Sequence, residues 1–105
     1  MEVLVFAPHP DDEILGCSGT LARHVETGDH VTVVYMTSGD AGSRHIPKKQ
    51  LASIREKEAL ASCSLLGISD LVFLRNPDGY LVYNQSNLVE LINLIRDRQP
   101  QLIYL

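Results

Sequence analysis

The stretch FAPHPDDE, residues 6–13, joins an apolar segment to three consecutive carboxylates that follow a histidine. Residues 1–6 form a short apolar run that predicts a buried strand, whereas residues 14–27 have the spacing of a helix. The acidic cluster is therefore expected at a junction from strand to helix. In an open α/β sheet, ligands bind at such junctions, outside the carboxyl ends of the strands.

The rest of the chain repeats this alternation of strand and helix. Strands are predicted over Glu2–Ala7, His30–Thr37, Asp70–Leu74 and Leu102–Leu105, and helices up to about Thr27, over Gln50–Leu66 and over Asn87–Arg98. The order β-α-β-α-β-α-β predicts right-handed crossovers and an α/β fold with a Rossmann-like parallel sheet that carries helices on both faces. We expect one domain over residues 1–105 that is cut short in its fourth strand, because an apolar strand is an unusual end for a domain.

The first predicted helix carries Ile14, Leu21 and Val25 on one face, and the other two also show apolar stripes. On the second helix the stripe consists of Leu51, Ile54, Ala61 and Leu65, and Glu58 interrupts it. On the third helix the apolar face consists of Leu88, Leu91, Ile92 and Ile95. We expect both stripes to pack against the sheet.

The composition argues against several functional classes. A formal net charge of -4 disfavours a nucleic-acid or anionic-membrane surface, since both need concentrated Lys and Arg. No apolar run reaches the roughly 18 residues of a membrane span, and the amino terminus lacks the pattern of a signal peptide. We therefore expect a cytoplasmic protein that acts on a neutral or cationic small molecule. Cys17 and Cys63 are predicted to be small buried hydrophobes.

The acidic junction has the residue types of a metal site. On a first helical turn His9 and Asp12 would project to nearly the same side, whereas Asp11 would point about 100° away from Asp12. An imidazole and a carboxylate could then share a metal ion, with Asp11 beside it as a general base. The alternative is that residues 10–13 only begin the helix, where proline and carboxylates are favoured. That alternative leaves His9 unexplained.

Residues 7–13, APHPDDE, resemble the (A/P)HPDDE signature of the PIG-L/LmbE-like zinc-dependent N-deacetylases. Three further segments are similar to motifs of that family: TSGDAG at residues 37–42, REKEA at 55–59 and PDG at 77–79. The resemblance implies a zinc-dependent amide hydrolase that removes acetyl groups from small molecules containing N-acetylglucosamine. It also implies that His9 and Asp12 bind Zn²⁺ and that Asp11 is the general base for the attacking water.

The resemblance implies substrate contacts as well. Arg55 and Asp78 would hold sugar hydroxyls, and Asp40 would shape the wall of the pocket. Each of the first two has a simpler alternative. Arg55 could only pair with Glu58 one helical turn away, and Asp78 in Pro-Asp-Gly is accounted for by turn chemistry alone.

The family takes its third zinc ligand, and a histidine that assists the oxyanion, from a segment after the fourth strand, so we expect both after Leu105. Only His45, in a loop on the same sheet edge, could substitute within the chain. His24 and His30 are expected on the solvated surface. With two of three ligands, the 105 residues alone would bind zinc weakly and catalyse poorly.

Two other functions are compatible with parts of the pattern. A receiver-like signalling domain could hold magnesium at an acidic pair after its first strand, but it needs an aspartate at the end of the third strand, where this sequence has residues 74–76, LRN. A non-catalytic relative could serve in binding or assembly. An exposed apolar fourth strand would also favour association into homo-oligomers.

Overall fold

The computed structural model describes residues 1–7, 12–37, 47–76 and 85–104. Its elements in chain order are β1 (Glu2–Ala7), α1 (Asp12–Glu26), β2 (His30–Thr37), α2 (Lys48–Leu65), β3 (Asp70–Asn76), α3 (Gln85–Arg98) and β4 (Leu102–Tyr104). The four strands form one parallel sheet in the order β3-β2-β1-β4. The predicted parallel α/β fold is confirmed.

The middle of the sheet consists of β1 and β2. Glu2–Ala7 pair in register with His30–Tyr35, and Val3–Val5 pair on the other side with Leu102–Tyr104. The run Val31–Tyr35 is wholly buried, as expected for a β-branched strand that is covered on both faces.

Alternating side chains divide the sheet into two faces. One face packs with α1 and α2 in the main core cluster, which includes Val3, Val5, Val31, Val33 and Tyr35 from the strands and Leu21, Ala59 and Cys63 from the helices. The opposite face carries Thr32, whose hydroxyl accepts a hydrogen bond of 3.2 Å from Arg98 in the last turn of α3. Helices therefore cover both faces, as predicted.

The predicted apolar stripe of α2 is wrong. Leu51 is buried, but Ile54 is 38% exposed and Leu65 is 90% exposed. The buried line instead runs through Leu51, Ala59 and Cys63, at the four-residue spacing of one helix face. Apolar residues occur all around α2, so periodicity alone did not select one face. Ala59 and Cys63 are both fully buried in the core cluster.

The burial pattern of α2 predicts unequal effects of two similar substitutions. Leu51→Ala should lower the free energy of unfolding by about 2–4 kcal/mol, because it removes a buried side chain and leaves a cavity. Leu65→Ala is the matched control and should change it by less than about 0.5 kcal/mol. Chemical denaturation of both variants measures the difference. Equal losses would support the stripe predicted from sequence instead.

Several apolar side chains of α3 are less well covered than Leu21 of α1, which is fully buried. Leu88, Ile92 and Ile95 each keep 36–37% of their surface exposed. Of the four residues of the predicted apolar face, only Leu91 is partly buried, and the other three are exposed. Within the described ranges, α3 and the other helices lack the length and apolar character needed to cross a membrane.

Gly67 lets α2 and α1 approach each other closely. It ends α2 at φ 82°, a left-handed conformation that glycine adopts without steric cost. A Cβ atom at this position would lie 2.9 Å from Cγ1 of Val25 in α1. The conformation and the contact both favour glycine.

A hydrogen-bonded network ties α1 to β4 at the amino edge of the sheet. The Nδ1 of His24 donates to Asp29 at 2.8 Å, and its Nε2 lies 2.8 Å from the hydroxyl of Tyr104. Asp29 also accepts a hydrogen bond of 3.1 Å from the amino group of Met1. The side chain of His24 is only 16% exposed, so its predicted place on the solvated surface is wrong. His30, whose side chain is 52% exposed, does lie at the surface.

Stability should depend on pH through Asp29. The hydrogen bond from His24, and then that from the Met1 amino group, lower the pKa of Asp29 in the folded protein. Its stabilising contribution is complete above the unfolded-state pKa of about 3.9 and is lost as the pH falls through the lower folded-state pKa. Asp29→Asn should therefore be less stable than the parent at pH 7, and the gap should narrow below about pH 4. Denaturation at a series of pH values measures this gap, and a gap that stayed constant would contradict the assignment.

Candidate functional site

The carboxyl edge of the sheet holds the ends of the three strands that precede the segments in which the sequence predicts chemistry. The neighbouring strands β1, β2 and β3 end at Ala7, Thr37 and Asn76. Because the strands are parallel, these ends meet at one edge, where ligands bind in open α/β sheets. Residues 8–11, 38–46 and 77–84 follow the three ends and lie outside the described residues. They include His9, Asp11, Asp40, His45 and Asp78, so these predictions are not placed by the structure.

Asp12 is the first residue of α1, which agrees with an acidic helix start. The structure describes its backbone but not its side chain. Among the residues with described side chains, no three from His, Cys, Asp and Glu are grouped so as to hold a metal ion. The predicted ligand pair of His9 and Asp12 is not part of that set.

Arg55 lies on the sheet-facing side of α2, between the buried residues Leu51 and Ala59. Its side chain is 35% exposed, and its Nη1 is 3.9 Å from Oε2 of Glu58. That distance exceeds a hydrogen bond, and Glu58 itself is 52% exposed. The predicted pairing with Glu58 exists but is too long and too exposed to account for the position of Arg55.

Removing the Glu58 charge should therefore have little effect on stability. We expect Glu58→Gln to change the free energy of unfolding by less than about 0.5 kcal/mol, as for other solvated ion pairs. Glu56→Gln is the matched comparison on the same helix and should be more destabilising, because Glu56 makes two short hydrogen bonds. Denaturant titration of the two variants measures both effects. A larger loss for Glu58→Gln would mean that the Arg55–Glu58 pair is structural after all.

Two stacked aromatic side chains lie beneath the carboxyl edge of the sheet. Tyr35 of β2 is fully buried and stacks on Phe73 of β3, with ring centroids 5.2 Å apart and 12° between the planes. The hydroxyl of Tyr35 lies 3.3 Å from the Sγ of Cys63 in α2. Cys63 is fully buried, which confirms its prediction as a small core residue. The Tyr35–Cys63 contact joins α2 to β2, and the ring stack joins β2 to β3.

Arg75, near the end of β3, lies beside the Phe73 ring at the sheet edge. Its guanidinium carbon lies 6.0 Å from the centre of the Phe73 ring. It donates from Nε and Nη2 to the two carboxylate oxygens of Glu56, at 3.1 and 3.0 Å. The hydrogen bond to Glu56 and the charge of that carboxylate raise the pKa of Arg75. Arg75 therefore stays cationic at this edge.

Sequence reasoning did not single out Glu56 or Arg75. The two residues are 19 positions apart, so no helical or strand periodicity links them. The predicted third strand also ended at Leu74, whereas β3 continues to Asn76. Only the packing of α2 against β3 brings the pair together.

Comparisons with known proteins relate the whole chain to one family. The family model described as PIG-L, GlcNAc-PI de-N-acetylase, matches residues 4–105. A 1D-myo-inositol 2-acetamido-2-deoxy-alpha-D-glucopyranoside deacetylase of Salinispora arenicola is 37% identical over an alignment of 87 residues that covers 74% of this chain and 28% of that protein. The solved N,N'-diacetylchitobiose deacetylase of Pyrococcus horikoshii superposes with a TM-score of 0.94 at 34% identity, over 97% of this chain and 39% of the other.

The same fold also occurs in a protein named for a different reaction. A 4-carboxy-2-hydroxymuconate hydratase of Pseudomonas putida superposes with a TM-score of 0.89 at 24% identity, over 97% of this chain and 45% of the other. At that identity the likeness shows the fold alone. All three proteins are more than twice as long as the part of them that this chain matches.

Proposed function

The chain belongs to the PIG-L family, and we propose that the whole protein hydrolyses the N-acetyl group of a small molecule that contains N-acetylglucosamine. The observation that carries this proposal is the family match over residues 4–105. The two deacetylases named above, at 37% and 34% identity, support the same reaction class. The family match favours this function over the receiver-like alternative.

The residues at the start of α1 fit a zinc site. Imidazole nitrogen and carboxylate oxygen are ordinary zinc ligands, and Asp12 begins the helix that follows β1. In the proposed site His9 and Asp12 hold the metal ion, with a histidine after Leu105 as the third ligand. Zinc would supply Lewis acidity toward the amide carbonyl and acidify water.

The chain's own residues would then move protons and hold the sugar. Asp11 accepts a proton from the attacking water and returns it to the glucosamine nitrogen as the amide bond breaks. The products are acetate and a free amine. Arg55 and Asp78 bind sugar hydroxyls, and Asp40 forms part of the pocket wall. Arg55 is partly buried on α2, so its side chain would lose little rotamer freedom when it binds a sugar hydroxyl. This supports its proposed role in substrate binding.

The fold by itself does not identify the reaction. The hydratase with a TM-score of 0.89 shows that closely similar backbones occur in proteins with other names. The proposal therefore depends on Asp11, Asp12 and His9, and the alternative of a non-catalytic relative predicts that changing them alters no activity. A cytoplasmic location and a homo-oligomeric state stay predictions from the sequence.

Two neighbouring aspartates should separate metal binding from catalysis. Asp12→Asn should lower zinc content, because it removes a charged ligand, and should thereby abolish acetate release. Asp11→Asn should keep the zinc and lower kcat by roughly 100-fold or more, because it removes only the general base. Zinc is measured by atomic absorption and acetate by an enzymatic assay with N,N'-diacetylchitobiose, in the protein as it is encoded in its genome.

Asp97→Asn, an exposed position on α3, is the matched control and should leave both quantities unchanged. Full acetate release by Asp11→Asn, or full zinc content in Asp12→Asn, would contradict the assigned roles. No acetate release by the parent protein, with this substrate or with other N-acetylglucosamine derivatives, would contradict the proposed function.

A further inference from the structure

The end of β3 at the carboxyl edge of the sheet is irregular. Tyr35 of β2 pairs with Phe73 and Thr37 pairs with Asn76, so β3 uses one more residue than β2 over the same interval. Arg75, inside that interval, has a φ of 58°, in the left-handed region that a non-glycine residue rarely adopts. Irregularities of this kind re-aim a side chain and cluster at active sites and ligand sites. The backbone therefore points to a role for the Arg75 side chain.

The Arg75 guanidinium is fixed in orientation and still open to solvent. Its Nε and Nη2 donate to the two carboxylate oxygens of Glu56, at 3.1 and 3.0 Å, and such bidentate pairs are geometrically specific. The Phe73 ring lies 6.0 Å from the guanidinium carbon. The side chain of Glu56 is 16% exposed, whereas that of Arg75 is 68% exposed. The covered carboxylate thus holds a cation whose outer side can contact a ligand.

The ion pair leaves hydrogen-bond donors of Arg75 available. A guanidinium carries its N–H groups in a planar fork, and the contact with Glu56 engages only Nε and Nη2. Within the part of the chain that the structure describes, Nη1 makes no hydrogen bond. Because the Glu56 carboxylate balances the charge of Arg75, the remaining N–H groups suit neutral acceptor oxygens, such as sugar hydroxyls and acetamido carbonyls, better than a phosphate.

The position of Arg75 in the sheet sets its distance from the proposed reaction. β2 separates β3 from β1, and neighbouring strands lie about 4.8 Å apart, so the ends of β3 and β1 are about 10 Å apart. The proposed metal site follows β1, at the start of α1. Arg75 also contacts the turn of α2 that carries Arg55, to which the proposed function assigns sugar hydroxyls. This separation matches a ring linked to the reacting sugar rather than the reacting acetamido group.

We propose that Arg75 is a specificity-determining residue, which donates hydrogen bonds to acceptor oxygens of a second ring linked to the reacting N-acetylglucosamine. This inference rests on the proposed deacetylase function and deepens it by naming a residue that selects the substrate. Glu56 is a positioning residue that acts through Arg75, because it fixes the plane of the guanidinium. The pair therefore favours substrates of two linked rings over a single sugar.

The test compares acetate release from N,N'-diacetylchitobiose and from N-acetylglucosamine by the zinc-loaded protein as it is encoded in its genome. The measured quantity is the ratio of kcat/KM for the disaccharide to kcat/KM for the monosaccharide. Arg75→Gln should lower this ratio by roughly 10-fold, because the lost hydrogen bonds from a charged donor reach only the second ring. Arg96→Gln, an exposed arginine in the last turn of α3, is the matched control and should leave the ratio unchanged.

Arg75→Gly separates a contact with substrate from a role in folding. Glycine adopts the left-handed conformation readily, so this variant should be at least as stable as Arg75→Gln and should show the same fall in the ratio. A ratio that stayed at the parent value in Arg75→Gly would overturn the proposal. Equal losses of activity on the two substrates would overturn it as well, because they would mean that Arg75 does not act on the second ring.

A double-mutant cycle tests the role of Glu56. Glu56→Gln should also lower the ratio, because it removes the charged partner that orients the guanidinium. Combined with Arg75→Gly it should lower the ratio no further than Arg75→Gly alone, since Glu56 acts on the second ring through Arg75. Additive falls in the ratio would overturn the positioning role of Glu56.

The outcomes distinguish this inference from the function on which it rests. A parent protein that releases acetate from both substrates, with Arg75 variants of unchanged ratio, would overturn the role of Arg75 and leave the deacetylase in place. A parent protein that binds zinc but releases no acetate from any N-acetylglucosamine derivative would overturn both. A fall in the ratio in both Arg75 variants, without one in Arg96→Gln, supports the proposal.

Discussion

Parallel pairing of all four strands is the constraint on which the rest of the structure depends. Parallel strands need a crossover between each pair, so helices must alternate with strands and must cover the sheet. The same constraint places every carboxyl end on one edge and every amino end on the other. Residues that are far apart in the sequence can therefore share one edge, whatever the lengths of the helices between them.

The two edges of the sheet differ in what their polar side chains do. At the amino edge, the partly buried groups of His24, Asp29 and Tyr104 bind one another and connect α1 to β4. A second set of hydrogen bonds at the same edge joins Arg98 of α3 to Asp70 and Thr32. Polar groups that satisfy one another in this way stabilise the fold and leave little capacity for a ligand. At the carboxyl edge, Tyr35 and Phe73 stack beneath the strand ends, and Arg75 pairs with Glu56.

The sequence was sufficient to predict the helices and strands and their order, because the signals for them are local. These signals include the β-branched run of β2 and the glycine that follows each of α1 and α2. The sequence also predicts a site at the carboxyl edge, and the parallel pairing of β1, β2 and β3 brings their carboxyl ends together at that edge. It was not sufficient for the buried line of α2, because apolar residues occur on every side of this helix and only the structure shows that Leu51, Ala59 and Cys63 are buried. His24 was misplaced because its partner Tyr104 is 80 positions away. The pair of Glu56 and Arg75 was missed for the same physical reason, since long-range contacts leave no periodic pattern.

The placement of β1 between β2 and β4 has a consequence for how the chain acquires its structure during synthesis. β2 follows β1 closely and can pair with it early, but the contact that joins Gln101 to Glu2 spans 99 positions. At a synthesis rate of about 5–20 residues per second, roughly 5–20 seconds pass before that contact can form. During this interval the second edge of β1, with its apolar residues Val3 to Val5, is unpaired. Formation of the β1–β4 ladder is thus a late, nonlocal event, and such pairings slow folding because a long loop must close first.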